Sequence, residues 1–185
     1  MRDRLRAGRR RLAAAAPEAA AHAAAAFADV DLRHGLTVAL YRPQGAELDP
    51  WALAARLRAQ GAHLALPVAV AADAPLLFRL PLEGAALPPD AAGVPAPGPE
   101  APEVTPDLVV TPLLAFDGTG ARLGQGGGYY DRTLGALRAR GRVAALGLAY
   151  AGQEVERLPA EPHDQRLDAV LTEVGLRVFG PIWPP

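Results

Sequence analysis

The stretch from Asp107 to Phe116, Asp-Leu-Val-Val-Thr-Pro-Leu-Leu-Ala-Phe, is the most apolar run in the chain, and it leads straight into a cluster of glycines. A run of this kind has no solvent face, so it reads as a strand buried on both sides, which requires covering layers above and below it. Pro112 brings no N–H to a ladder, so regular pairing is expected to end there. Beyond the glycines, a helix is expected from about Tyr129 to Arg140.

The rest of the chain supplies the partners such a strand needs. Short apolar runs at Leu36 to Tyr41, His63 to Val70, Leu76 to Leu80 and Val143 to Tyr150 read as strands, and a short final β pair is expected around Ala169 to Thr172 and Leu176 to Phe179. Leu5, Leu12, Ala16, Ala19, Ala23 and Phe27 form a helical stripe that Pro17 divides in two, and a further helix opens at Pro50 and stops at Gly61. From Pro81 to Pro106 no periodicity survives among the prolines and glycines, so a long connection with scope for motion is expected. Strands alternating with helices predict an α/β fold, a mainly parallel central sheet covered by helices on both faces, in a single domain over residues 1–185.

Composition removes several chemistries. Cysteine is absent, which excludes disulfides and thiolate sites, and the chain has no serine, which excludes a serine hydrolase. With a formal charge of −1 there is no global attraction to nucleic acid or membrane, and no stretch approaches the ~20 apolar residues of a membrane span. A cytoplasmic protein with a small-molecule ligand is expected; its oligomeric state is left open. The one charge concentration is the start, where Arg2, Arg4, Arg6, Arg9, Arg10 and Arg11 face only Asp3. Arg2 and Arg6, four residues apart on one helix face, are placed to meet an anion together, although a solvated face accounts for them equally.

The glycine segment Arg122-Leu123-Gly124-Gln125-Gly126-Gly127-Gly128-Tyr129-Tyr130-Asp131 sits where free backbone N–H groups and the positive end of a helix converge. It suits phosphate, with Arg122 as a forked donor; as glycines alone it suits a tight turn just as well. No Lys-Ser or Lys-Thr follows, so it is not a Walker A loop. Asp131 has the chemistry for Mg²⁺ beside phosphates, or is an acidic residue favoured in a first helical turn. Tyr129 and Tyr130 suit stacking on a heterocycle or plain packing. Gln153, Glu161, His163, Asp164 and Asp168 form a second polar cluster, expected beyond the carboxyl ends of the last strands.

Taken in order, these segments resemble the 5-formyltetrahydrofolate cyclo-ligase family. The resemblance covers nearly the whole chain and is most specific over Asp107 to Leu134, with Pro112, Ala115-Phe116-Asp117, Gly120 and Arg122-Leu123-Gly124-x-Gly126-x-Gly128-Tyr129-Tyr130-Asp131. Leu66-Pro67, Gly147-Leu148-Ala149 and Leu158-Pro159-x-Glu161-x-His163-Asp164-x-x-Leu167-Asp168-x-x-x-Thr172-Glu173 support it. It implies ATP- and Mg²⁺-dependent conversion of 5-formyltetrahydrofolate to 5,10-methenyltetrahydrofolate, with ADP and phosphate released. It further implies Arg2, Arg6 and Arg122 to Tyr130 as the ATP site, with Arg122, Tyr129 and Tyr130 in the chemistry. Arg6, Glu47 and Gln125 to Tyr129 would meet the folate, and Asp131 and Asp168 would hold Mg²⁺. Two positions depart from the pattern: Arg2 stands where the family usually has lysine, and Ala96 where it often has glutamate. The alternative is a non-catalytic relative of the same fold that binds folate or RNA.

Overall fold

A computed structural model describes residues 1–27, 35–141, 143–159 and 161–180. Alanine-rich sequence gives two helices at the start, α1 (Arg2–Ala15) and α2 (Ala19–Ala26). The break is local chemistry: Pro17 disfavours helical geometry in the residue before it, and Ala16 turns out to φ −131°. There follow β1 (Thr37–Ala39), α3 (Trp51–Ala59), β2 (His63–Val68), β3 (Leu77–Arg79), β4 (Leu108–Pro112), β5 (Ala115–Phe116) and β6 (Arg122–Leu123). Then come α4 (Tyr129–Arg140), β7 (Ala144–Leu148), one 3-10 turn (Ala151–Gln153), β8 (Ala169–Thr172) and β9 (Gly175–Val178).

The main sheet has seven strands in the order β3-β2-β1-β4-β7-β8-β9. β2, β1, β4, β7 and β8 run parallel, and β3 and β9 close the edges antiparallel. Because side chains alternate across a strand, β4 serves two cores at once. Leu108 and Val110 pack with Val38, Leu146, Leu171 and the α2–α3 side; Val109 packs with Ala39, Ala145, Val170 and Leu134 of α4 on the other. The expected α/β layers are present, with helices on both faces.

Two local expectations are sharpened. The apolar run from Asp107 to Phe116 stops pairing in the main sheet at Pro112, as expected, and does not continue as one strand. Pro112 still pairs with Leu148, but Leu113 and Leu114 leave the sheet, and Ala115–Phe116 forms a separate two-stranded ribbon with Arg122–Leu123. Pro81 to Pro106 has little regular structure, as expected, yet it is tied down at several points. Asp90 accepts the amides of Ala69, Ala92 and Val94, and Leu80 and Val104 donate to Pro102 and Phe78 carbonyls across the outer edge of β3.

Candidate active site

Strand order reverses between β1 and β4, since the chain proceeds from β1 toward β2 on one side and from β4 toward β7 and β8 on the other. Ligands of open parallel sheets lie beyond the carboxyl ends of the strands at such a point. The loop after β1 carries Glu47; the segment after β4 carries Leu113 and, past the small ribbon, the glycine loop. α1 crosses this gap and reaches both sides.

The glycine loop runs from β6 into α4, with Gln125, Gly126 and Gly127 exposed. Its carbonyls are claimed by arginines. Arg2 Nε donates to Gly124 O at 3.1 Å, Arg6 to Gln125 O at 3.3 Å and Arg132 to Gly127 O at 2.7 Å. Arg6 Nε also holds the Gln125 side chain at 2.8 Å. In a trans peptide the N–H points opposite to the C=O of the same plane, and there is no cis bond among the described residues, so the amides of Gln125, Gly126 and Gly128 face away from these guanidinium groups. Among the described residues no backbone N–H from Gln125 to Gly128 has an acceptor. Gly128 makes the entry into α4 possible, because it stands at φ +66°, a left-handed conformation costly for a side chain. The first N–H groups of α4, at Tyr129 and Tyr130, continue the same run of unpaired donors.

Arg122 and Leu123 are strand rather than loop. Leu123 gives its carbonyl to Leu114 N at 2.7 Å, and its side chain packs beside Ala115, Ala121 and Leu158. The Arg122 side chain is 4% exposed and donates to Asp131 Oδ1 at 2.9 Å and to the Gln165 carbonyl. Burial pushes its pKa down, and the Asp131 charge opposes that shift. Gln165 N also donates to Asp131 Oδ1, at 3.0 Å, so Oδ2 is the carboxylate oxygen left to meet a cation. Asp117 fixes the turn leading into β6. Burial alone would raise its pKa, but hydrogen bonds from Thr119, Leu158 and Ala121 outweigh that and hold it below the usual range.

Asp168 is set apart from Asp131. It precedes β8, where its Oδ2 accepts from Arg138 and from Ala145 N, both at 2.8 Å. Arg138 lies seven residues beyond Asp131 on α4, a rise of about 10 Å, at the opposite end of the helix. Gln165 and Arg166 run along α4 between these two ends. The expected second cluster therefore separates: Gln153 lies past the carboxyl end of β7, whereas Asp168 lies at the amino end of β8. Glu161, His163 and Asp164 meet one another beside this path, with His163 exposed. No group of three or more metal-ligating side chains forms among the described residues.

Glu47 is buried, with 6% of its side chain exposed, and pairs with Arg9 at 3.3 Å while accepting Gln44 N at 2.9 Å. Arg9 also donates to Leu113 O at 3.1 Å, an oxygen that Gln153 Nε2 reaches at 2.8 Å. Arg9 is thus a site residue that the sequence did not single out. Its signal was present, because Arg2, Arg6 and Arg9 recur at four- and three-residue steps on one face of α1. Tyr130 packs into both cores between Glu47 and Arg122; burial first, then the Glu47 charge, drive its phenol well above the ordinary value, with Arg122 opposing. It is a neutral hydroxyl at physiological pH. The Tyr129 ring lies under the Arg132 guanidinium, whose central carbon is 5.4 Å from the ring centroid.

Comparison with known proteins identifies the family and the fold. The model of the 5-formyltetrahydrofolate cyclo-ligase family matches residues 1–173. A 5-formyltetrahydrofolate cyclo-ligase of Mycolicibacterium smegmatis is 36% identical over 145 residues, 75% of this chain and 74% of that protein. The Escherichia coli K12 protein of the same name is 48% identical over 66 residues, 36% of each chain. Among solved structures, the 5,10-methenyltetrahydrofolate synthetase of Aquifex aeolicus superposes with a TM-score of 0.74 at 28% identity, over 96% of this chain and 90% of that one. That of Mycoplasma pneumoniae, at 22% identity and TM-score 0.70 over 93% and 96%, shares the fold. With its family model matched over nearly the full length, this chain belongs to the 5-formyltetrahydrofolate cyclo-ligase family.

Proposed function

We propose that the chain converts 5-formyltetrahydrofolate to 5,10-methenyltetrahydrofolate at the expense of ATP, with the triphosphate held on the glycine loop. The observation that carries this reading is the orientation of that loop: its carbonyls are turned to Arg2, Arg6 and Arg132, and its amides are free at the end of α4. Unpaired amides at a helix start favour an anion.

In this reaction the formyl oxygen takes the γ-phosphoryl group as ADP leaves; N10 then bonds to the formyl carbon, closing the ring as phosphate departs. Transfer of this kind needs positioning and charge neutralisation more than a protein nucleophile. The loop amides position the phosphates, with Arg6 holding the Gln125 carbonyl and side chain on the opposite side of the loop, while Arg122, held rigid by Asp131, keeps positive charge at the foot of the loop. Tyr129 and Tyr130 supply a ring face and a neutral hydroxyl. Glu47, its two oxygens held by Arg9 and by Gln44 N, is the acidic group the family resemblance sets at the donor edge of a pterin, where its remaining lone pairs would accept.

The residues fit a magnesium ion through one carboxylate. Asp131 is half-buried, its Oδ1 is engaged and its Oδ2 is available, which matches an ion that takes one or two carboxylates with phosphate oxygens and water. Bound there, the ion would neutralise phosphate charge. Asp168 lies beside Arg138 at the end of α4 away from the glycine loop, so the geometry favours Asp131 alone.

The direct test mixes purified protein with ATP, Mg²⁺ and 5-formyltetrahydrofolate and follows methenyl-folate absorbance. Product that depends on ATP is expected; none at any ATP concentration would defeat the reading. The non-catalytic alternative is not favoured, given the family and the retained Arg122–Asp131 pair.

A further inference from the structure

Arg132, which holds one of the loop carbonyls, touches three parts of the site. Its Nη2 donates to Gly127 O at 2.7 Å and to Ala72 O, in the turn between β2 and β3, at 2.8 Å. The same guanidinium covers the Tyr129 ring. It occupies the space a side chain at Gly128 would need: a Cβ there would come within 2.6 Å of Arg132 Nη1. Its Nε is buried with no partner, so the side chain gives up one hydrogen bond to hold this pose.

The Gly127–Gly128 peptide is flanked by two residues without Cβ atoms, and peptide planes between glycines rotate with little steric resistance. Left free, this plane has two orientations. One turns the Gly128 N–H to the ligand; the other turns the Gly127 oxygen there and meets a phosphate with negative partial charge. Arg132 binds that oxygen from behind and selects the first. Arg2 and Arg6 do the same for the Gly124–Gln125 and Gln125–Gly126 planes, but from α1. Arg132 acts from within α4, and through Ala72 it is anchored to the rim of the sheet.

We propose that Arg132 is a positioning residue that locks the Gly127–Gly128 peptide plane with its N–H toward the nucleotide phosphates, using Ala72 O as its anchor. Its consequence for ATP rests on the function proposed above; the lock itself does not. Two variants test it: Arg132→Met, which keeps the apolar stem, and Arg132→Lys, which keeps the charge but not the forked geometry.

The first readout needs no ligand: ¹⁵N relaxation dispersion of the Gly127 and Gly128 amides. Exchange between two orientations is expected in Arg132→Met, a smaller contribution in Arg132→Lys and none in wild type. The second readout is steady-state kinetics. The loss of a charge-assisted bond predicts that the KM for ATP rises about tenfold in Arg132→Met. The KM for 5-formyltetrahydrofolate and kcat should stay within about twofold, the pattern of lost nucleotide binding rather than lost folding. Unchanged glycine relaxation in Arg132→Met overturns the lock, as does an equal rise in both KM values together with a fall in Tm. If wild type itself shows no ATP-dependent product, the functional reading fails, and the relaxation comparison still decides the lock.

Discussion

A guanidinium with 4% of its side chain exposed must be neutralised where it sits, and Arg122 meets this need through Asp131. Asp131→Ala therefore acts twice. It removes the carboxylate oxygen offered to magnesium, and turnover is expected to fall at least about a hundredfold. It also strands a buried charge at a cost of about 2 kcal/mol, below the range for fully buried pairs because Asp131 is partly exposed. Arg122→Met/Asp131→Leu should recover most of the stability in denaturant titration while staying inactive; a recovered rate would remove both residues from the chemistry. Glu47→Gln should raise the KM for 5-formyltetrahydrofolate at least about tenfold through weakened charge-assisted bonding, with the KM for ATP little changed. Equal effects on both would place Glu47 in the scaffold. Asp131 and the glycines were legible as residues because a strand, a turn and a helix frame them. Glu47 was not, since the loop after β1 has no periodicity and only the family resemblance pointed to it. Arg9 was hidden among six arginines, of which the fold buries one.

Elements show where pattern suffices and where packing decides. α4 was readable to its ends, from the glycine cluster before Tyr129 to Gly141 after Arg140. Pro17 was readable as a break for a purely local reason. The β5–β6 ribbon was not, because each strand has two residues and its pairing rests on Asp117 closing the intervening turn. Asp168 was misplaced to the ligand side because the segment before β8 doubles back along α4, a path set by Arg138 and Gln165 rather than by any local signal. β7 offers a test at this scale. A Cβ on Gly147 would stand 2.7 Å from Leu167 and 3.0 Å from Leu113, both buried. Gly147→Ala is expected to cost about 2 kcal/mol by overpacking. Tm should drop by several degrees; an unchanged Tm would mean that the contact between β7 and the Leu113 corner is looser than described.

For the whole molecule, the sheet brings distant segments to one crevice: α1, the loop after β1 and the glycine loop meet because β1 and β4 are neighbours that lead in opposite directions. The same packing buries Tyr41, Tyr130 and Tyr150, and burial raises all three phenol pKa values. With a folded pKa above the unfolded value of about 10, each tyrosine holds its proton longer in the folded state, so stability is full below pH ~10 and is lost as pH rises beyond it. Tyrosine ionisation read by ultraviolet absorbance should therefore coincide with loss of circular dichroism; ionisation of all tyrosines in a still-folded chain would contradict that burial. The central claim, that a triphosphate rests on the outward amides of the glycine loop, is tested most directly by titrating ¹⁵N-labelled protein with ATP and Mg²⁺. The largest amide shifts are expected at Gln125, Gly126 and Gly128, saturating together. Saturable binding that leaves these three amides unmoved would contradict the account.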